Sequence, residues 1–202
     1  MPTGPALIIF IKNPIPGRTK TRLAASVGHD MALRMYGVLT NWTREQALGL
    51  SNVTRYLYYS EFIPSDDGWS ATDFLRNVQR GSDLGARMEN AVAEVFERGH
   101  DRVIIIGTDC PGITTEYLKD AFVKLADYDV VIGPALDGGY TLLGMRGEPK
   151  PLFNGVEWST ESVLAQTLAL VEQFELQPYE LTPLSDVDYL EDWQSYGWSL
   201  PL

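Results

Sequence analysis

The chain has 202 residues, of which 45% are hydrophobic and 21% charged, with a formal net charge of −11. That size and apolar content suit one domain with a substantial core, and so acidic a surface disfavours nucleic acid or an anionic membrane as partner. A single cysteine, Cys110, excludes an internal disulfide and a four-cysteine zinc site, and two histidines, His29 and His100, give little support to histidine metal sites or Ser-His-Asp machinery. The apolar run Ala6–Ile11 is too short to span a membrane and no basic segment precedes it, so a reduced, cytoplasmic protein is expected.

Ala6–Ile11 is apolar and rich in β-branched residues and reads as the first strand. In the following stretch, Lys12 to Arg22, Pro14, Pro16 and Gly17 forbid regular structure and predict a shaped loop ahead of a helix that starts near Leu23. The loop carries Lys12, Arg18, Lys20 and Arg22, and no acid occurs before Asp30. In a protein this acidic, four cations at the ligand edge of a sheet point to an anion such as a nucleotide diphosphate; a solvated basic loop is the plainer alternative. Gly17-Arg-Thr-Lys20-Thr21 is similar to the end of a P-loop, but Thr19 stands where the second Gly is required. No Gly-x-Gly-x-x-Gly follows the strand either, so ordinary kinase, GTPase and dehydrogenase readings fall.

Asp30 is expected to cap a helix with Met31, Met35, Val38, Leu39 and Trp42 at helical spacing. Val53–Tyr59 reads as a second strand. Ser82 or Asp83 opens a helix whose inner face is Leu84, Met88, Ala91, Val92 and Val95. In its first turn Gly85 permits close approach of a ligand and Arg87 suits a phosphate, although a surface salt bridge is the plainer use of Arg87.

Val103–Ile106 reads as a central strand buried on both faces. Asp109 follows Gly107, which puts a carboxylate at the carboxyl end of a parallel strand, where open α/β sheets bind ligands. A divalent cation carrying a phosphate ester suits that position; capping of the next turn is the alternative. Cys110 is expected to pack beneath this loop rather than to act as a nucleophile. Thr114 caps the next helix, and Asp129–Ala135 and Thr141–Met145 are strands joined by a tight turn at Asp137-Gly138. Asp137 is either a turn residue or a second carboxylate aimed at the ligand edge. Ser159 or Thr160 is expected to cap a helix through Val163, Leu164 and Val171, with Trp158 lining a pocket or packing. Phe174–Leu181 reads as a last strand and Tyr189–Trp193 as a short helix. The aromatic tail from Trp193 to Trp198 suits core cover or an oligomer interface.

Six motifs occur in order: Lys12-x-Pro-x-Pro-Gly-x-x-Lys-Thr-Arg-Leu23, Asp83-Leu-Gly-x-Arg-Met88, Gly107-Thr-Asp-Cys-Pro111, Gly133-Pro-x-x-Asp-Gly-Gly-Tyr140, Trp158-Ser-Thr-Glu161 and Asp186-x-Asp188. Over nearly its whole length the chain resembles the small bacterial nucleotide-diphospho-sugar transferase proteins of GT-A fold, which include arsenosugar-biosynthesis-type glycosyltransferase-like proteins. These are related to phospholactate and molybdenum-cofactor guanylyltransferases. The resemblance implies one domain over residues 1–202, a Rossmann-like αβα sandwich with a mixed, mostly parallel sheet, and a nucleotide diphosphate bound with Mg²⁺ or Mn²⁺.

Asp109 matches the family acid that ends the central strand and holds the metal, and Asp188 matches its late metal-ligating acid, with Asp186 as the alternative. The usual continuation Asp-x-Asp-Thr-Pro-Glu-Asp is here Asp186-Val-Asp-Tyr-Leu-Glu-Asp192, a departure that bears on the turn after Asp188. Lys20 and Arg22 match basic residues that face the phosphates in related guanylyltransferases. A metal on Asp109 and Asp188 would stabilise a polyphosphate leaving group. Lys12, Arg18, Lys20, Arg22, Gly85 and Arg87 are the phosphate-binding candidates, and Asp137 or Glu161 is the general base toward an alcohol acceptor. Glycosyl transfer from an NDP-sugar to a small acceptor is the first reading. Nucleotidyl transfer from an NTP to a phosphorylated small molecule is the second, and a non-catalytic nucleotide-binding module the third.

Overall fold

The structure is a computed structural model and describes residues 4–201. Its strands are β1 (Pro5–Ile11), β2 (Thr54–Tyr59), β3 (Leu75–Val78), β4 (Arg102–Ile106), β5 (Val130–Pro134), β6 (Tyr140–Arg146) and β7 (Pro178–Glu180). They form one sheet in the order β3-β2-β1-β4-β6-β5-β7. β6 runs antiparallel to both its neighbours, β4 and β5, and the other pairings are parallel. The helices are α1 (Thr21–Val27), α2 (His29–Leu48), α3 (Leu84–Glu97), α4 (Thr115–Lys124), α5 (Val163–Gln173) and α6 (Leu190–Ser195).

The alternation of side chains along each strand divides the core between two faces. Leu7, Ile9, Leu57, Ile104 and Ile106 meet Leu118, Ala121 and Phe122 of α4 on one side. On the other, Ala6, Ile8, Tyr58, Val103 and Ile105 meet Met88, Ala91, Val92 and Val95 of α3 and Val171 of α5. Helices on both faces of a mostly parallel sheet give the expected αβα sandwich. A third cluster joins Leu23 of α1, Met35 and Leu39 of α2, Val187 and Trp193, so Trp193 is core. Among the described residues no helix is long and apolar enough to cross a membrane.

Asp83 and Thr114 cap α3 and α4 as expected, accepting from Ala86 N–H and Tyr117 N–H. Three local expectations are corrected. Gly28, at φ 81°, precedes α2, and Asp30 lies inside its first turn, where its charge complements the helix dipole. α5 begins at Val163 after Ser162; Ser159 is left-handed at φ 67° and the Thr160 hydroxyl donates to Glu157 O, so neither caps it. The strand expected over Phe174–Leu181 contracts to Pro178–Glu180 because the turn that closes α5 occupies Phe174–Leu176, with Glu175 left-handed at φ 53° and the Leu176 N–H donating to Val171 O.

The loop after β1 is held in shape before any ligand arrives. Buried Asn13 accepts at Oδ1 from Ser60 Oγ (3.1 Å) and the Glu61 N–H (2.9 Å), and its Nδ2 donates to Phe62 O (2.9 Å). Thr19 Oγ1 donates back to Asn13 O at 2.8 Å, closing the loop on itself. The Tyr36 hydroxyl accepts from the Lys12 N–H at 2.9 Å and meets Thr108 Oγ1 at 3.1 Å, tying the loop to the end of β4. Each part-buried hydrogen bond of this kind contributes about 0.5–1.5 kcal/mol. Asn13→Ala, which breaks several of them, is therefore expected to lower the melting temperature by roughly 5–15 °C in a thermal scan. A shift below about 2 °C would mean that the loop is held by other contacts.

Candidate functional site

Lys20 closes the first loop in a left-handed conformation, φ 51° and ψ 48°, a costly state for a residue with a Cβ. Its side chain is 7% exposed. The ammonium donates to Asp109 Oδ2 at 3.0 Å, Val187 O at 2.7 Å and Asp188 Oδ1 at 3.3 Å. An ammonium has three N–H donors, and here all three are engaged. Burial disfavours the charge of Lys20, but Asp109 and then Asp188 outweigh it and hold its pKa above the ordinary lysine value. Asp109 is the mirror case: burial pushes its pKa up, while Lys20, followed by Lys12, draws it below the usual carboxylate range.

The late acids reach this point through backbone pairing. Leu184 N–H donates to Pro134 O (2.9 Å), Leu136 N–H to Leu184 O (3.0 Å) and Val187 N–H to Asp109 O (2.8 Å). The segment thus lies alongside the ends of β5 and β4. After Asp188 the chain turns on Asp192, whose Oδ2 accepts from the Asp188 N–H (3.0 Å) and the Tyr189 N–H (2.8 Å). A carboxylate therefore organises the turn that Thr-Pro occupies in the family pattern.

Among the described residues no three His, Cys, Asp or Glu side chains form a ready metal cage. The donor chemistry nonetheless fits a hard divalent cation. Asp109 and Asp188 converge on one cationic position, filled here by the Lys20 ammonium, and Asp186 lies within their electrostatic reach. Asp186 Oδ1 is buried and has no hydrogen-bond partner. Burial, and next the charge of Asp109, raise the Asp186 carboxyl to about 8. An orphaned carboxylate oxygen beside two acids is what a cation would satisfy.

These acids open into a cleft of about 610 Å³, within the range of small-molecule sites. Lys12, Arg18, Lys20 and Arg22 all line it, as do Asp109, Asp137, Glu161, Asp186 and Asp188. Arg18 pairs with Glu61 at 2.7 Å and Arg22 with Asp188 at 2.9 Å, but both arginines are more than 60% exposed. Surface pairs of this kind contribute only about 0–1 kcal/mol, so an incoming phosphate can exchange with them.

Asp137 serves both uses considered for it: Oδ1 accepts from the Gly139 N–H at 3.0 Å, shaping the turn, and the residue lines the cleft. Gly138, at φ 89°, packs against the chain before α5; a Cβ there would lie 2.1 Å from Glu161 O. With the Leu164 N–H donating to Gly138 O at 2.9 Å, this contact brings Asp137 and Glu161 to one cleft.

Two of the phosphate candidates lie elsewhere. Gly85 is buried beneath the Trp158 indole, where a Cβ would sit 2.2 Å from Nε1, so its lack of a side chain admits a tryptophan. Arg87 donates to Gly81 O at 3.4 Å and is not among the residues lining the cleft. Cys110 is buried and donates to Ser185 O, and burial pushes its thiol pKa up, as suits packing and not nucleophilic attack. The structure adds Leu84, Met88, Tyr140 and Val163 to the cleft, with Tyr140 and Trp158 edge to face at 6.3 Å between centroids. Apolar residues at helical or strand spacing carry no mark that separates core from cleft wall. Asn13 and Tyr36, which hold the basic loop, are equally unmarked in sequence.

The chain matches the DUF2064 family, described as an uncharacterized protein conserved in bacteria, over residues 43–160. It is 30% identical to a candidate nucleotide-diphospho-sugar transferase from Desulfovibrio desulfuricans G20, whose crystal structure aligns at a TM-score of 0.85 over 97% of this chain and 87% of that one. It is also 30% identical over 80 residues to the 2-phospho-L-lactate guanylyltransferase of Methanocaldococcus jannaschii, a match covering 38% of this chain and 36% of that enzyme. A CMP:2-keto-3-deoxy-manno-octonic acid synthetase complexed with CTP shares the fold alone, with a TM-score of 0.52 at 13% identity over 95% of this chain and 96% of that one. The first two bear transferase names, in keeping with the site built above. The chain belongs to the DUF2064 family, and its fold is the GT-A-like fold of nucleotide-diphospho-sugar and nucleotidyl transferases.

Proposed function

We propose that this protein is a metal-dependent glycosyltransferase that moves a sugar from a nucleotide diphosphate to an uncharged hydroxyl of a small acceptor. The observation that carries this reading is the division of charge across the cleft. In the sheet, β4 and its Asp109 lie between β1 and the β6–β5 pair. The basic loop Lys12–Arg22 follows β1, whereas Asp137, Trp158 and Glu161 come from the β5–β6 turn and the chain before α5. One wall suits a diphosphate, and the other suits a neutral polar body laid against an aromatic ring.

Asp109 and Asp188, with Asp186, are the residues that would hold Mg²⁺ or Mn²⁺, which when bound neutralises charge on the departing diphosphate. Lys12, Arg18 and Arg22 hold the phosphates and stabilise the same charge from the protein side. Asp137 or Glu161 accepts the proton of the acceptor hydroxyl as its oxygen bonds to the anomeric carbon and the carbon–oxygen bond to the nucleotide diphosphate breaks. The nucleotide diphosphate leaves as an anion.

Nucleotidyl transfer is the second reading, supported by the similarity to a guanylyltransferase. It requires a phosphorylated acceptor, and that phosphate would meet Asp137 and Glu161 without a cation of its own. The acidic wall therefore weighs against it. A non-catalytic module would rest on the altered segment after Asp188, and Asp192 orders that turn, which weighs against it.

A thermal-shift panel of UDP-, GDP-, ADP- and CDP-sugars against the parent NTPs, with and without Mn²⁺, tests the reading. A ligand at a hundredfold its Kd adds about 2.7 kcal/mol, or roughly 5–10 °C for a chain of this size. The expected result is a Mn²⁺-dependent shift with one NDP-sugar that Asp109→Asn abolishes; a shift with NTPs alone would transfer the assignment to nucleotidyl transfer. With donor and acceptor identified, Asp137→Asn and Glu161→Gln separate the two base candidates. The variant that lacks the base loses roughly 10²- to 10⁴-fold in kcat at little change in donor KM. Small losses in both would remove the general-base role from this wall.

A further inference from the structure

The proposed metal position and the enclosed Lys20 ammonium coincide. Lys20 is almost fully enclosed, in a strained backbone conformation, with its ammonium 3.0 Å from Asp109 and 3.3 Å from Asp188. These are the two carboxylates to which the metal is assigned, and two cations in contact with the same pair of oxygens repel each other, so they cannot both hold that place. The third acceptor, Val187 O at 2.7 Å, belongs to the residue between Asp186 and Asp188, so the ammonium also fixes the backbone between the two late acids.

We infer that Lys20 is a built-in occupant of the divalent-cation position, holding Asp109 and Asp188 in ligating register while the site is empty of metal and giving up that place when a divalent cation enters. The inference rests on the metal-dependent reading above and adds the residue that competes for the metal. It has two consequences. The acids stay converged without metal, although two unpaired carboxylates would otherwise splay apart. The ammonium, once displaced, is a free cation at the mouth of the basic loop, beside Lys12 and Arg22. An ordinary structural ion pair predicts the reverse metal response, because removing its cation would loosen the acids and weaken metal binding.

The test is a Mn²⁺ titration, followed by electron paramagnetic resonance, of the wild-type protein, Lys20→Met and Lys20→Arg. The expected result is a Kd for Mn²⁺ at least tenfold lower in Lys20→Met than in wild type, with no tightening in Lys20→Arg, which keeps the charge. An unchanged or higher Kd in a folded Lys20→Met overturns the inference while leaving the metal-dependent reading in place. Failure of wild type and Lys20→Met alike to bind Mn²⁺ overturns both.

A second measurement needs no variant. The protein has five lysines, and an enclosed ammonium whose three N–H groups are all hydrogen-bonded exchanges its protons slowly enough to give a ¹H–¹⁵N cross-peak at low temperature. That peak is expected in the metal-free wild type and is expected to vanish on saturation with Mg²⁺. Its persistence in the Mg²⁺-loaded protein, or its absence from the metal-free one, overturns the inference.

Discussion

The contact on which the rest depends is one ammonium held by three oxygens. Lys20 joins Asp109, 89 residues away, to Asp188, 168 residues away, and so ties the first loop to the end of the central strand and to the late acidic segment. Such a buried ion pair adds little net stability, because desolvation consumes most of the attraction, yet removing one partner leaves an uncompensated buried charge. Its effect is therefore positional. Asp186 shows what the arrangement costs. With its carboxyl raised to about 8 in the fold and near the ordinary value of about 3.9 unfolded, the folded state binds the extra proton between those limits, so this residue subtracts from stability as pH rises through that window. A cost carried at a cleft, next to two other acids, is typical of a site shaped for a ligand and not for stability.

The architecture was legible in sequence where its signals were long. Five strands and the caps of α3 and α4 follow from apolar runs and from Asp or Thr ahead of a helical pattern. β3 was not, because Leu75-Arg-Asn-Val78 is a four-residue edge strand with neither alternation nor a β-branched run, and pairing with β2 alone makes it a strand. The start of α5 was misplaced because Ser159, Thr160 and Ser162 are all acceptable capping residues, and the contact between Gly138 and Glu161 selects among geometries that local propensity leaves equal.

The candidate site divides in the same way. The four cations of the first loop and the acids Asp109, Asp137, Glu161, Asp186 and Asp188 were nameable, because charge clustered beside strand ends is visible in one dimension. Their pairing was not. By sequence Lys20 is a candidate phosphate ligand, and the fold places it between two carboxylates 89 and 168 residues away. By sequence Gly85 offers room for a ligand, and in the fold that room is filled by Trp158. In both cases the residue type was informative, and the partner had to come from tertiary structure.

Strand order explains why the cleft has two unlike walls. Had β5 followed β4 in the sheet as another parallel neighbour, the turn after it would have led into a crossover helix, and Asp137 would have opened that helix. Instead β6 is inserted between them, antiparallel to both, so the β5–β6 connection is a tight turn at the same sheet edge as Asp109. The returning chain before α5 then packs on that turn through Gly138 and delivers Glu161 and Trp158 beside Asp137. On the far side of β4, β1 ends in a loop whose prolines and Asn13 hold four cations toward the same edge. A single antiparallel strand thus sets an acidic, aromatic wall opposite a basic one, with the Lys20-linked acids on the line between them.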